Sequence, residues 1–250
     1  MMDAAAIGVE GSAGPLALGV GVWLSAMVAW WVGDGQRRWD RLMIWGWVVA
    51  AAFGGGVAMT WLMGGVGLSS RGGAVVVFGV LVGALGIAWR QGPGSVERVW
   101  RECDWMAPSL LTGLSVARLG CLWEGCDIGR PTESSLAVVH PPGTRGFEAQ
   151  VLAYDVSPLA SAGMEVHPFA LYLGGWGLMC AVIGGVWRRR ARRRGEAAVV
   201  TLMTFGAGGA LIEGLREPAL AWTVSGVLLY PAMYISGALA VSLLWWLSWR

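Results

Sequence analysis

The chain has 250 residues, of which 56% are hydrophobic and 14% charged, with a mean hydropathy of +0.58. Seventeen tryptophans and forty glycines in one chain argue against an ordinary water-soluble domain. They suit closely packed membrane helices, with indoles at the water boundary. A formal net charge of +2 gives no reason to expect a nucleic-acid partner.

Taken in chain order, the apolar segments predict an all-α polytopic membrane protein. Seven transmembrane helices are expected, at roughly Pro15–Val32, Leu42–Met63, Gly72–Trp89, Trp105–Trp123, Pro168–Trp187, Ala197–Leu215 and Val227–Trp249. Each is long enough to cross about 30 Å of hydrocarbon at about 1.5 Å per residue. They form a single bundle domain over residues 1–250, with an outer loop, 124–167, inserted between the fourth and fifth helices. Pro15 and Pro168 stand at helix starts, and Pro108 and Pro231 are expected in first turns, where a missing N–H costs least. The stretch Met1–Gly14 holds no basic residue, so no cleavable signal is expected.

All the basic residues are arginine, and they alternate by connection. Arg37, Arg38 and Arg41, then Arg90, Arg98 and Arg101, then Arg188–Arg190 and Arg192–Arg194 mark the cytoplasmic side. Glu124, Asp127, Glu133, Glu148, Asp155, Glu165 and Glu217 gather on the other. The orientation expected is an N-terminus outside and a C-terminus in the cytoplasm, in a bacterial inner (plasma) membrane. The dense arginine turn after the fifth span is best explained as a topology signal. The loop 124–167 carries Pro131, Pro141, Pro142 and Pro158 and no obvious structure beyond a possible strand at Val151–Val156.

Cys103, Cys121, Cys126 and Cys180 have no metal-ligand spacing, so small packing residues are expected, with pairing of Cys121 and Cys126 left open, and no metal and no cofactor. No internal repeat is evident and the middles of the spans are apolar or glycine, which argues against a transporter. Ionisable residues gather instead at outer membrane edges: Arg71, Arg118, Glu124, Asp127, His167, Glu213 and Arg216. An arginine at such depth is costly unless it meets protein, water or an anion, and in a bilayer the common anion is a lipid phosphate. Arg118, followed by Gly120, is the leading phosphate ligand; the planar guanidinium fork suits that group. Glu213 and Arg216, three apart on one helical face, can pair.

Four blocks of sequence resemble the bacterial prolipoprotein diacylglyceryl transferases. Gly67-Leu68-Ser69-Ser70-Arg71-Gly72-Gly73 resembles the family segment ending His-Gly-Gly. Asp104 to Arg130, with Arg118-Leu119-Gly120, resembles the signature Gly-Arg-x-Gly-Asn-Phe-x-Asn-x-Glu followed by Gly-Arg. His167-Pro168 with Leu171-Tyr172 resembles His-Pro-Ser-Gln-Leu-Tyr-Glu, and Glu213-Gly214-Leu215-Arg216-Glu217-Pro218 resembles Glu-Phe-x-Arg-x-Pro. The blocks fall in family order. The departures are Arg71 for the histidine, Cys121 and Glu124 for the asparagines and Cys126 for the signature glutamate. Further departures are Phe169-Ala170 for Ser-Gln, Leu173 for the next glutamate, and Gly209 for an arginine four residues before Glu213.

The resemblance implies transfer of the diacylglyceryl group of phosphatidylglycerol to the thiol of a lipobox cysteine in a prolipoprotein, an early step of lipoprotein maturation. The partners implied are that lipid, or another anionic phospholipid, and the lipobox peptide. Carried over residue by residue, the catalytic set is His167, Arg118 and Glu213. The substrate-binding set is Arg118, Arg71, Arg216, Tyr172 and Gly120. Arginine at 71 cannot accept a proton, so the base is His167 or Glu213, or the arginines lower the thiol pKa unaided. The alternative is a catalytically degenerate relative that binds lipid or lipoprotein, or serves a membrane assembly as a structural subunit.

Overall fold

The computed structural model describes residues 20–28, 42–43, 46, 96–125, 128–217, 223–224 and 227–249. The third expected span, with Arg71, lies outside the described residues, and of the first two only 20–28, 42–43 and 46 are described, all helical. The architecture is mostly helical. After α1 (20–28) come α2 (Val96–Glu124), α3 (Arg145–Tyr154), α4 (Phe169–Arg188), α5 (Glu196–Ile212) and α6 (Leu229–Leu247). Among the described residues two small antiparallel strand pairs form: β1 (Val138–Val139) with β2 (Glu165–Val166), and β3 (Thr223–Val224) with β4 (Val227–Leu228). Among the described residues, two helical stretches, Phe169–Arg188 and Glu196–Leu215, are long and apolar enough to cross a membrane.

α2 starts nine residues before the expected span, and its 29 residues reach about 43 Å at 1.5 Å each. Arg98 and Arg101 therefore lie on its early turns rather than in a connecting loop. Pro108 is likewise mid-helix, not in a first turn. The ring removes one helical hydrogen bond. Nearby hydroxyls bond back to the chain, Ser109 Oγ to the Trp105 carbonyl and Thr112 Oγ1 to the Pro108 carbonyl, both at 2.8 Å.

Small residues set the crossings. A Cβ added at Gly113 of α2 would stand 2.7 Å from the Gly21 carbonyl oxygen and 2.8 Å from Ser25 Cβ on α1. One added at Gly174 of α4 would stand 3.0 Å from the Ser115 carbonyl oxygen, so α4 lies directly on α2. Leu111, Cys180 and Ala181 form a buried cluster with Leu114, Trp176 and Phe205 around it. Cys180 fills space there as expected; Cys103 and Cys121 are half-buried on α2, and Cys126 lies outside the described residues. At the opposite end of the helices from the 128–167 segment, the buried Asp104 carboxylate accepts from Gly195 N at 2.8 Å and Ala198 N at 3.0 Å. It satisfies donors that the first turn of α5 cannot satisfy within the helix.

The segment between α2 and α4 is folded rather than irregular. The expected strand at Val151–Val156 is instead the end of α3. Thr144 caps that helix, its Oγ1 accepting from Phe147 N at 3.3 Å, and Asp155 ends it in the left-handed region at φ 53°. Its inner face buries Gly146, Phe147, Ala149 and Gln150. The Gln150 amide is used at both ends, accepting from Met164 N at 2.7 Å and donating to the Met164 carbonyl at 3.3 Å. His140 is buried against Gly125 and Gly146. Burial without a countercharge holds its imidazole below the usual histidine pKa.

Candidate active site

The ends of α2, α4 and α5 nearest the 128–167 segment are stitched together by main-chain pairing. Residues 128–132 run between two other segments. On one side Gly129 bridges Arg216, with Arg130 N donating to the Leu215 carbonyl at 2.9 Å and Glu217 N to the Ile128 carbonyl at 3.1 Å. On the other Pro131 bridges Val166, with His167 N donating to the Arg130 carbonyl at 3.0 Å and Thr132 N to the Glu165 carbonyl at 3.0 Å. β1 then pairs with β2 beyond. This ladder brings His167, Arg130 and Arg216 onto neighbouring segments. A Cβ on Gly129 would lie 2.5 Å from the His167 carbonyl oxygen and 2.7 Å from its Cβ, so only glycine allows this approach.

Glu213 and Arg216 pair as their spacing predicts. Arg216 Nε donates to Glu213 Oε2 at 2.7 Å, and its Nη2 to Oε1 at 3.1 Å. The chain turns through a 3-10 helix, Glu213–Leu215, at the end of α5, which folds Arg216 back over Glu213. Both side chains are buried, and the Arg216 guanidinium carbon stands 4.2 Å above the Phe169 ring centre. With both Glu213 oxygens occupied, the carboxylate fixes the guanidinium in position over the ring and offsets much of its charge.

His167 is half-buried, directly before α4. It does not cap that helix: Pro168 takes the cap position without a side-chain bond. Its Nδ1 lies 3.4 Å from the Tyr172 hydroxyl, at the long limit of a hydrogen bond, and the two rings tilt 56° with centres 5.9 Å apart. Arg118 is half-buried on α2 and faces α4: its Cβ is 3.4 Å from a Cβ built on Gly174. At 1.5 Å per residue that places it about 8 Å below the start of α4, so it is deeper than the Arg216 pair. Gly120 is buried two residues further along α2. The structure thus groups His167, Tyr172, Glu213 and Arg216 at one end, sets Arg118 deeper on the neighbouring face of α2, and leaves Arg71 outside the described residues.

Three contributors escaped the sequence reading. Arg130 is exposed beside the pair, its Nε 3.4 Å from the Arg216 carbonyl oxygen. Phe169 supplies the ring under Arg216. The Tyr154 hydroxyl donates to the buried Glu217 carboxylate, tying α3 to the residue after Arg216. The Gly129-Arg130 dipeptide was a visible signal; the Phe169 and Tyr154 contacts join distant positions and left none.

A profile of the family described as prolipoprotein diacylglyceryl transferase matches residues 16–249. Among individual relatives, the chain is 22% identical over 149 residues to the phosphatidylglycerol–prolipoprotein diacylglyceryl transferase of Clostridium tetani, covering 60% of this chain and 54% of that protein. It is 24% identical over 185 residues to the Pseudomonas syringae protein of the same name (71% and 62%) and 29% identical over 153 residues to that of Bordetella parapertussis (61% and 49%). The matched stretches span about half the length of these curated relatives, between 49% and 62%. With a profile matching nearly end to end, the chain belongs to the prolipoprotein diacylglyceryl transferase family.

Proposed function

We propose that the protein is a seven-span enzyme of the bacterial inner membrane that moves the diacylglyceryl group of phosphatidylglycerol onto a lipobox cysteine thiol. Family membership supports the reaction class. The observation that carries the reading further is the ladder that brings His167 beside the Arg216–Glu213 pair. In this scheme the thiol proton passes to His167 and the sulfur forms a bond to the terminal glycerol carbon. The carbon–oxygen bond to the phosphate breaks, and glycerol phosphate leaves. Arg118 holds the phosphate as its charge grows, with Arg130, Arg216 and Arg71 adding positive potential. Glu213 is the weaker choice of base, since both its oxygens already accept from Arg216. Tyr172 orients His167, and Gly120 gives Arg118 room.

The second reading, a relative that keeps the bundle and binds lipid or lipoprotein without turnover, is favoured by one observation. Gly209 stands where the family carries an arginine, and a Cβ there would already lie 3.2 Å from the Tyr234 ring. A side chain there would press on that ring. One assay separates the two: purified protein, phosphatidylglycerol and a lipobox peptide, with the diacylglyceryl mass gain read by mass spectrometry, alongside rescue of a strain depleted of its own transferase. Transfer supports the enzyme. Wild type and Arg71→His both failing to modify any lipobox peptide would select the binding role.

A further inference from the structure

Six arginines occupy the turn between α4 and α5, at 188–190 and 192–194. Arg189, Arg190, Arg192, Arg193 and Arg194 are exposed, and Arg188 is half-buried. The turn beneath them is well defined by its bonds. The Glu196 carboxylate accepts from Arg192 N at 3.0 Å, Arg193 N at 3.2 Å and Trp187 Nε1 at 3.1 Å. The Arg194 carbonyl accepts from Trp245 Nε1 at 2.8 Å, and the Arg194 guanidinium pairs with Glu97 at 3.1 Å. Among the described residues, no carboxylate lies within ion-pair distance of the guanidiniums of Arg189, Arg190, Arg192 or Arg193. The one acid inside the turn, Glu196, spends its oxygens on backbone and indole donors.

Around this turn stand several tryptophans. Trp187 and Trp245 bond into it, Trp100 Nε1 donates to Ser248 Oγ at 2.8 Å, and Trp246 and Trp249 follow on the end of α6. Trp187, Trp246 and Trp249 keep between 37% and 47% of their surface exposed. Half-exposed indoles of this kind mark the headgroup level of a bilayer. A topology signal requires only positive charge during insertion. It does not require a fixed turn that holds four guanidiniums outward at the indole level.

We propose that this turn is a binding site for the phosphates of anionic phospholipids in the leaflet at that end of the bundle. The inference rests on α4 and α5 crossing the membrane, not on transfer activity. Guanidiniums grip phosphate oxygens with paired N–H donors, and each basic residue at an anionic surface strengthens association by about fivefold. The test uses the full chain in phosphatidylcholine vesicles, with spin-labelled phosphatidic acid compared against spin-labelled phosphatidylcholine. Phosphatidic acid offers the phosphate without the glycerol headgroup of the proposed substrate. The expected result is a several-fold preference for phosphatidic acid in the motionally restricted fraction. That preference falls towards parity in the R189Q/R190Q/R192Q/R193Q variant, and in wild type as salt rises from about 50 to about 500 mM. No preference in wild type, or one insensitive to salt, would overturn the proposal, as would its retention by the folded variant. A nucleic-acid occupant would appear as tight binding of a labelled oligonucleotide by the detergent-solubilised protein that removes the lipid preference, and it too would overturn the proposal.

Discussion

Truncating Glu213 to alanine asks how Arg216 is held. Arg216 is 7% exposed and Glu213 2%, and two hydrogen bonds, at 2.7 and 3.1 Å, join them. The substitution deletes both of these acceptors from a buried guanidinium. The Phe169 ring at 4.2 Å is present before and after, so it does not offset the loss. Breaking a buried pair in this way costs about 3–5 kcal/mol. For a chain of this size each kcal/mol moves Tm by about 2–4 °C, so a fall of about 6–20 °C is expected. Tryptophan fluorescence during heating of the detergent-solubilised protein reads it. Replacing both partners, Glu213→Leu with Arg216→Met, should recover much of the stability, because the buried guanidinium is removed together with its Glu213 acceptors. A single variant within about 1 kcal/mol of wild type, or a double variant no more stable than the single, would refute this reasoning.

Other outcomes are expected elsewhere. His167→Asn should lower lipid transfer by about 100- to 10,000-fold with folding retained; unchanged transfer would remove His167 as the base. Arg118→Lys should weaken phosphatidylglycerol binding despite the kept charge, measured by lipid co-purification, because the two-pronged contact is lost. Gly129→Ala should cost about 1–3 kcal/mol by forcing His167 away from residues 128–132, seen as lowered Tm and lowered transfer together. His140 is held below the ordinary pKa of about 6.5, so its unfolded form takes up a proton first. The stability it lends to the segment around α3 is therefore complete above about pH 6.5 and declines as pH falls through the folded-state value. Amide exchange in α3 should be faster at acid pH, and His140→Leu should flatten that dependence.

The apolar helices were legible because a long uninterrupted run has few other uses: α4 begins and ends within a residue of the expected Pro168–Trp187. The early turns of α2 were not, because Glu97, Arg98, Arg101 and Glu102 resemble a connecting loop until one sees Glu102 accepting from Trp105 Nε1 at 2.5 Å. α3 was hidden by its buried face, where Gly146 and Gln150 stand in for the large apolar residues that would reveal a helical period. At the candidate site, the Glu213–Arg216 pair could be read from a spacing of three. The approach of Arg130 to Arg216, 86 residues apart, could not, because main-chain pairing leaves no mark in the identity of the side chains.

That last property reaches beyond this chain. The ladder fixing residues 128–132 between 215–217 and 165–167 is made of amides and carbonyls, with Gly129 as its one demand on side-chain size. It works as a mounting rail that does not read what is fastened to it. Substitutions at the neighbouring positions exchange chemistry without dismantling the support. A lineage built on such a rail can lose a proton acceptor in one generation, recruit a ring such as Phe169 in another, and still present its remaining groups in register. Reactivity and architecture are thereby free to change at different rates.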